Sequence, residues 1–240
     1  MKRLAICILV LLGGSTLLAQ NTNSCKQDLL QYVEQMGKLQ EPEGNAVYHL
    51  QYEVNTTLRK ERSNAPTHEE VEVYLCASGM EFRSNSVVVV QDAEDAFMVM
   101  HPQRSIVWTN GGQRPNAAGA QAAMLDGQRA FIESARVRAC KEVTRKGETA
   151  TLLMLSPAPN TPEAAQLTSV SYYLNANGAL KEMVINYGPQ SPIQTQSITY
   201  HQLELNHRGW KFKGAKEQVL ASTGKPVAKY KGYTLQNLKR

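Results

Sequence analysis

The chain has 240 residues, of which 42% are hydrophobic and 7% aromatic, and its formal net charge is +5 at pH 7. This length and composition suit one β-rich domain, or at most two small ones. The mild positive charge argues against a dedicated nucleic-acid binder, and no apolar segment reaches the roughly 20 residues of a membrane-spanning helix.

The N-terminus has the pattern of a secretory signal peptide. Lys2 and Arg3 form a basic start, residues 4–12 are apolar, and small residues then lead to a cleavage site at Ala19. Removing residues 1–19 removes two basic and no acidic residues, which lowers the net charge from +5 to +3. The sequence therefore predicts export to the periplasm and a mature chain, residues 20–240, that forms one domain with a basic C-terminal tail.

The first half of the mature chain predicts a helix followed by a meander of strands. Residues 25–39 carry Leu29, Val33 and Met36 at helical spacing, and Ser24 is suited to cap the helix. In the next segment, "AVYHLQYEVNT", apolar and polar residues alternate as in a half-buried strand. Four further strands, joined by short turns, are predicted near 70–75, 80–90, 96–101 and 105–110. We therefore expect an antiparallel sheet.

The second half repeats this order of a helix and then strands. A loop at 110–119 precedes a predicted helix at 120–136, and a hairpin at 167–188 turns at Asn177-Gly178. Further strands are predicted at 137–145, 149–155 and 194–206, and the tail from Trp210 mixes a short helix with a final strand.

Motifs for catalysis or metal binding are absent from the sequence. It contains no Gly-x-Ser-x-Gly, no phosphate-binding Gly-Lys-Ser/Thr loop and no His-Glu-x-x-His. The five histidines are scattered, and Asp92, Glu94 and Asp95 are better explained by a turn between strands than by a calcium loop. We therefore expect a protein that is not an enzyme and has no cofactor and no metal site.

The alternation within the strands identifies candidate ligand-binding residues. A sheet with large apolar side chains on one face must cover that face or use it, and a curved sheet can enclose a cavity with helices as its lid. The candidates for such a cavity are Tyr48, Leu50, Tyr52, Val71, Val73, Phe82 and Trp108. The alternative is that they only pack the sheet against the helices. With a cavity, the helices at 25–39 and 120–136 would form the lid, and Gly111, Gly112 and Gly119 its hinge.

Three cysteines remain after signal-peptide cleavage: Cys25, Cys76 and Cys140. An odd number allows one disulfide and one thiol, or no disulfide. The pair Cys76–Cys140 is favoured because both lie in predicted strands, but the sequence does not decide among the three pairings.

The order of elements resembles that of the LolA/LolB-like superfamily, the outer-membrane lipoprotein carriers and their periplasmic relatives. The similarity includes the first helix and strand, the turn at Asp92 before "AFMVMHPQRSIVW", the strand "TLLMLSP" and the hairpin from Tyr172 to Tyr187. The carrier's Lys-Arg-Pro motif is absent, so its latching role is not transferred to Arg83, and "GWKFKG" replaces the C-terminal Phe-x-Pro-Pro. The resemblance implies an α+β, mostly β fold: a curved antiparallel sheet forming an unclosed β-barrel, with helices covering its concave face.

The resemblance also implies a function. We expect a periplasmic carrier or binding protein for a lipidated or hydrophobic ligand, which would lie on the concave face. The alternative is a protein–protein interaction module of the cell envelope, which would use the edge of the sheet or the basic tail. A cavity at the Tyr48–Val54 face would favour the first, and a filled core would favour the second.

Overall fold

The computed structural model describes residues 14–37, 42–59, 67–111 and 117–239, and in residues 14–23 and 117–125 only the backbone. The apolar run of the predicted signal peptide therefore lies outside the described residues, whereas residues 14–19 form the first turns of a helix. No helix in the described ranges is long and apolar enough to cross a membrane.

Two long helices, α1 (Gly14–Gly37) and α2 (Ala117–Ser134), each precede a set of strands. Two short helices lie later in the chain, α3 (Pro162–Gln166) and α4 (Ala215–Val219). The first set of strands is β1 (Val47–Leu58), β2 (Thr67–Cys76), β3 (Gly79–Arg83), β4 (Val87–Gln91), β5 (Asp95–Met100) and β6 (Ser105–Asn110). The second set is β7 (Arg136–Arg145), β8 (Glu148–Ser156), β9 (Leu167–Leu174), β10 (Leu180–Tyr187) and β11 (Ile193–Glu204). A last strand, β12 (Thr234–Asn237), belongs to neither set and comes from the C-terminal segment.

In the described part of the chain these twelve strands form one sheet, in the order β12-β6-β5-β4-β3-β2-β1-β11-β10-β9-β8-β7. All neighbours are antiparallel except β12 and β6. The two terminal strands do not pair with each other, so the sheet is not closed. This confirms the expected fold class of a mostly β, unclosed barrel. The two sets of strands meet at the β1–β11 pair, in the middle of the sheet.

The helices α1 and α2 cover one face of the second set of strands, and we call this face the inner face. Cys25, Leu29 and Val33 recur every four residues along α1 and are buried, because this spacing places them on one side of the helix. They pack with Ile132 of α2 against side chains of β8 and β9 such as Leu153.

The opposite face, the outer face, is covered over the first set of strands by the C-terminal segment, residues 207–238. Val219 and Tyr230 of this segment pack on Val90, Phe97 and Ile106. Helix α4 is positioned by Asp92, whose Oδ2 accepts a hydrogen bond of 2.7 Å from the backbone N–H of Ala215. The two covering layers thus lie on opposite faces and on different halves of the sheet.

The predicted disulfide is wrong. Cys25 of α1 is bonded to Cys140 of β7, whereas Cys76 is a buried thiol that donates a hydrogen bond to the carbonyl of Gly79. Cys76 lies on the outer face with its strand partner Val47, and Cys140 lies beneath α1 on the inner face. Two cysteines on opposite faces and different halves of a sheet cannot meet within the Cα separation that a disulfide needs.

Candidate functional site

The inner face of strands β1–β6 is apolar and uncharged over most of its width. Paired residues of neighbouring strands share a face, so the register identifies the side chains on this surface. The apolar ones are Tyr48, Leu50, Tyr52, Val54, Val71, Val73, Leu75, Met80, Phe82, Val87, Val89, Met98, Met100 and Val107. Glu69, which pairs with Val54 near the start of β2, is a charged residue on the same face. Most are partly exposed, and Met98 keeps 45% of its surface accessible. The charged residues Glu72, Glu81, Arg83 and Asp95 of the same strands lie on the outer face.

The structure places six of the seven predicted ligand-binding residues on this inner face: Tyr48, Leu50, Tyr52, Val71, Val73 and Phe82. Trp108 is the exception. Its ring stacks on Phe97 with centroids 5.4 Å apart, and its Nε1 donates a hydrogen bond of 2.6 Å to Asp95 beneath the C-terminal segment. Strands β4–β6 are apolar on both faces, so their pattern did not indicate which face Trp108 would take.

A cleft of about 460 Å³ opens where the uncovered half of the inner face meets α1 and α2. It lies over the β1–β11 junction, where Leu50 pairs with Leu203. Its walls are Leu29, Tyr32, Val33 and Met36 of α1, Gln128 and Ile132 of α2, and strand and hairpin residues including Leu50, Tyr172, Leu180, Met183, Tyr200 and Leu203. The volume lies within the range of small-molecule sites in proteins. The cleft and the uncovered apolar face are continuous because Leu50 belongs to both.

Four tyrosines add hydroxyl groups to this apolar region, whose other polar side chains include Gln128, Lys181 and Gln202 at the cleft. Tyr32, Tyr172 and Tyr200 line the cleft, and the ring of Tyr52 lies 6.0 Å from that of Tyr200. Burial raises the pKa of all four hydroxyls, that of Tyr200 to about 12. They are therefore protonated at physiological pH, and each offers a hydrogen-bond donor within an apolar surface.

The predicted lid helices are held by contacts near the middle of α1. The Cys25–Cys140 disulfide fixes α1 to β7, and the Lys26 ammonium donates hydrogen bonds to the carbonyls of Glu133 and Ala135 at the end of α2. Met36, nearly three turns further along α1, reaches the cleft. The anchored part of the helix and the part that lines the cleft are thus different.

The predicted hinge is only partly described. Gly111 donates a backbone hydrogen bond of 2.8 Å to Glu94, and a Cβ atom there would lie 2.3 Å from the backbone nitrogen of Asp95. Gly111 is therefore required by a close backbone approach. Gly112 lies outside the described residues, and Gly119 is within α2. A hinge at these glycines stays a prediction.

A second feature, on the outer face, was missed at the sequence level. His49, Glu204 and His207 each place one possible ligand atom within 4.8 Å of the other two. Two imidazoles and a carboxylate are a suitable ligand set for a divalent transition metal. The group could not be predicted from the sequence, because His49 is far along the chain from the other two residues and only the pairing of β1 with β11 brings them together.

No protein-family model matches the chain, and no curated protein matches it. Solved structures similar to it include an uncharacterized conserved protein from Thermus thermophilus, at 9% identity and a TM-score of 0.40, covering 88% of this chain and 98% of that one. A LolA superfamily protein from Nitrosomonas europaea matches at 10% identity and a TM-score of 0.29, covering 78% and 94%. MucB of Pseudomonas aeruginosa, in its complex with MucA, matches at 12% identity and a TM-score of 0.36, covering 75% and 56%.

At these identities and TM-scores, nothing about the fold, ligands or partners of this chain is taken from the matches. The strand order and the two covering layers define the class directly: a twelve-stranded, unclosed half-barrel in the described residues, with helices over its inner face and an apolar cleft beside them.

Proposed function

We propose that the protein is a periplasmic carrier or binding protein for a lipidated or hydrophobic ligand and is not an enzyme. The ligand lies on the inner face of β1–β6, with its apolar chain extending into the cleft beside α1. The single observation that carries the proposal is the continuity of a largely apolar, partly exposed face with this cleft through Leu50.

An apolar surface of this kind is unfavourable in water, and such patches on soluble proteins mark binding sites. On β3 and β5 the charged side chains of Glu81, Arg83 and Asp95 lie on the outer face, and Glu81 is buried beneath Trp210 of the C-terminal segment. The inner face of the same strands carries apolar side chains such as Met80, Phe82 and Met98, so the usual polarity of a half-covered sheet is reversed there. Each methylene group of an acyl chain buried on the inner face contributes about 0.8 kcal/mol. The predicted signal peptide supports the location in the periplasm.

The tyrosines of the cleft support a ligand that is apolar but carries a few acceptors. Protonated hydroxyls of Tyr52, Tyr172 and Tyr200 can donate to the carbonyl oxygen of an ester or an amide. A diacylated peptide or another acyl ester presents such carbonyls beside its apolar chains, whereas a pure hydrocarbon does not.

The test measures the affinity of the mature protein for a dipalmitoylated peptide and for the same peptide without acyl chains. Met98→Glu and Leu203→Glu each add a charge to the inner face at a side chain that is more than 40% exposed, so both variants are expected to fold. We expect each to weaken binding of the acylated peptide by roughly tenfold or more, because a charge on the binding face must be desolvated. Gln51→Glu is the control, because it adds the same charge to β1 on the outer face.

Equal loss in all three variants, or no binding of the acylated peptide by the unmodified chain, contradicts the proposal. Equal binding of both peptides would instead favour the alternative function, a module that binds an envelope protein.

A further inference from the structure

His49, Glu204 and His207 come together where β11 ends and the chain turns onto the outer face. His49 of β1 pairs with Glu204, the last residue of β11. The backbone N–H of His207 then donates a hydrogen bond of 2.9 Å to the carbonyl of Val47, which holds His207 beside β1. The three side chains are thus positioned by backbone pairing.

The Nδ1 atom of His49 is buried without a hydrogen-bond partner. His49 is only 5% exposed, and its other ring nitrogen, Nε2, lies 3.1 Å from a carboxylate oxygen of Glu72. Glu72 also accepts hydrogen bonds from Tyr74 and Arg83, so it is ionised and Nε2 is the protonated nitrogen of His49. Nδ1 then presents a lone pair, and leaving such a buried acceptor unpaired is costly.

The Glu72–His49 pair has the geometry that orients metal-binding histidines. In such sites one ring nitrogen binds the metal while the other donates to a carboxylate, which fixes the tautomer and raises the basicity of the ligand. Stacking also holds the His49 ring. The centroid of the Tyr74 ring lies 4.5 Å from that of His49, with an angle of 7° between the ring planes. The Tyr74 ring stacks in turn on Trp210, with centroids 4.8 Å apart. The imidazole is therefore orientated before any ligand arrives.

We propose that His49, Glu204 and His207 bind a zinc ion through two imidazole nitrogens and one carboxylate, with water as the fourth ligand. This set and its open position are those of tetrahedral zinc sites. Ligand atoms around zinc lie about 3.3 Å apart, as bond lengths near 2.0 Å in a tetrahedron require, and the three atoms here lie within 4.8 Å of one another. His207 Nδ1 and a carboxylate oxygen of Glu204 are 2.5 Å apart and hydrogen-bonded, so zinc would replace this hydrogen bond. Glu204 and His207 can move, because their side chains keep 43% and 22% of their surface exposed.

The bound ion would join β1, the end of β11 and the start of the C-terminal segment. Trp210 follows three residues after His207, and its indole N–H donates to the buried carboxylate of Glu81 on β3. Zinc would thus stabilise the point from which the outer covering layer begins, on the face opposite the cleft. This inference does not depend on the proposed ligand of the inner face.

The test uses the mature chain without an affinity tag, stripped with a chelator and titrated with Zn²⁺ against a competing chromophoric chelator. We expect one equivalent to bind with a Kd in the micromolar range or tighter. Zinc at about 100 times the Kd should raise the Tm by roughly 5–10 °C. His207→Ala and Glu204→Gln should each weaken zinc binding by about 100-fold, and both positions are exposed enough for the chain to fold.

His201→Ala is the matched control, since His201 is a half-exposed histidine of β11, the strand of Glu204, and is not one of the three proposed zinc ligands. It should bind zinc like the unmodified chain. Glu72→Gln should weaken binding by about tenfold while the stoichiometry stays at one, as expected for a residue that acts by orienting His49. The absence of stoichiometric binding, or equal losses in His201→Ala and His207→Ala, would overturn the inference.

Discussion

Cys25 and Cys140, which are 115 residues apart in the sequence, form a disulfide that fixes α1 to β7 at the edge of the sheet. The cleft lies further along α1, at Tyr32 and Met36. The helix is thus covalently held at its midpoint beside the edge strand, and its C-terminal half lines the cleft over the middle of the sheet.

Removal of the disulfide should destabilise the protein substantially. A covalent link that closes a loop of this length restricts the unfolded chain, and its loss typically costs about 2–5 kcal/mol. We expect Cys140→Ser to lower the free energy of unfolding by about 3–4 kcal/mol in denaturant titrations. The unmodified chain should lose the same amount on addition of a reductant. Cys76→Ser should remain sensitive to the reductant, because Cys76 is not part of the bond; a reductant-insensitive Cys76→Ser protein would contradict the assignment.

Acid should weaken the ion pair of Arg145 with Glu182. Hydrogen bonds of 2.8 and 2.9 Å from Arg145 lower the pKa of the buried Glu182 carboxyl, outweighing the opposing effect of burial. Because the folded-state pKa lies below the unfolded value of 4.5, this stabilisation is complete above pH 4.5 and is lost as the pH falls through the folded-state pKa.

Arg145→Gln should therefore lower the free energy of unfolding by about 2 kcal/mol at pH 7, because it leaves a buried carboxylate without its cation. This value is reduced for the partial exposure of the arginine. The difference from the unmodified chain should shrink towards pH 3, as measured by denaturant unfolding. Arg129→Gln is the control, because its pair with Glu133 on α2 is exposed and its removal should leave stability unchanged. A difference that stays constant with pH would show that the ion pair does not account for the effect.

Gly79 and Gly127 should respond in opposite ways to substitution by alanine. A Cβ atom at Gly79 would lie 2.4 Å from the ring of Phe212 and 2.6 Å from the backbone oxygen of Gln91. Gly79→Ala should therefore displace the C-terminal segment and cost about 1–3 kcal/mol in thermal or chemical unfolding. Gly127 has open space around it within α2, so Gly127→Ala should be neutral or stabilise the helix by up to about 1 kcal/mol. Equal effects at both positions would contradict the placement of Phe212.

Fluorescence quenching should report which face of the sheet the ligand uses. Trp108 and Trp210 both lie on the outer face, so an acyl chain brominated near its end should leave their emission nearly unchanged. Phe82→Trp adds a fluorophore to the inner face, and its additional emission should be quenched on binding. Phe212→Trp is the control on the outer face and should resist quenching. Quenching of the native tryptophans alone would place the ligand on the wrong face for the proposed function.

The alternation of side chains predicted most of the sheet. The strand from Val47 to Leu58 and the hairpin around Gly178 follow the expected pattern, since one face of each packs on apolar neighbours and the other does not. The sequence also predicted both long helices, although α1 begins before Ser24 and therefore has no cap there. These elements were predictable because their apolar spacing follows the period of a single helix or strand.

The features that depend on distant pairing were not predictable from these local patterns. The sequence placed Trp108 among the cavity residues and paired Cys76 with Cys140, because neither the face of a strand that is apolar on both sides nor the position of α1 is a local property. The group of His49, Glu204 and His207 depends on the β1–β11 register, which joins the two sets of strands. The parallel pairing of β12 with β6 also depends on the path of the whole C-terminal segment.

Native mass spectrometry of the protein isolated from its own cells would show directly whether the inner face binds an apolar ligand. We expect a discrete additional mass of lipid or acyl-peptide size, which solvent extraction releases and which Met98→Glu reduces while Gln51→Glu does not. A protein that retains its fold and shows only the mass of the unliganded chain under gentle ionisation, in both the unmodified form and Gln51→Glu, would contradict the claim.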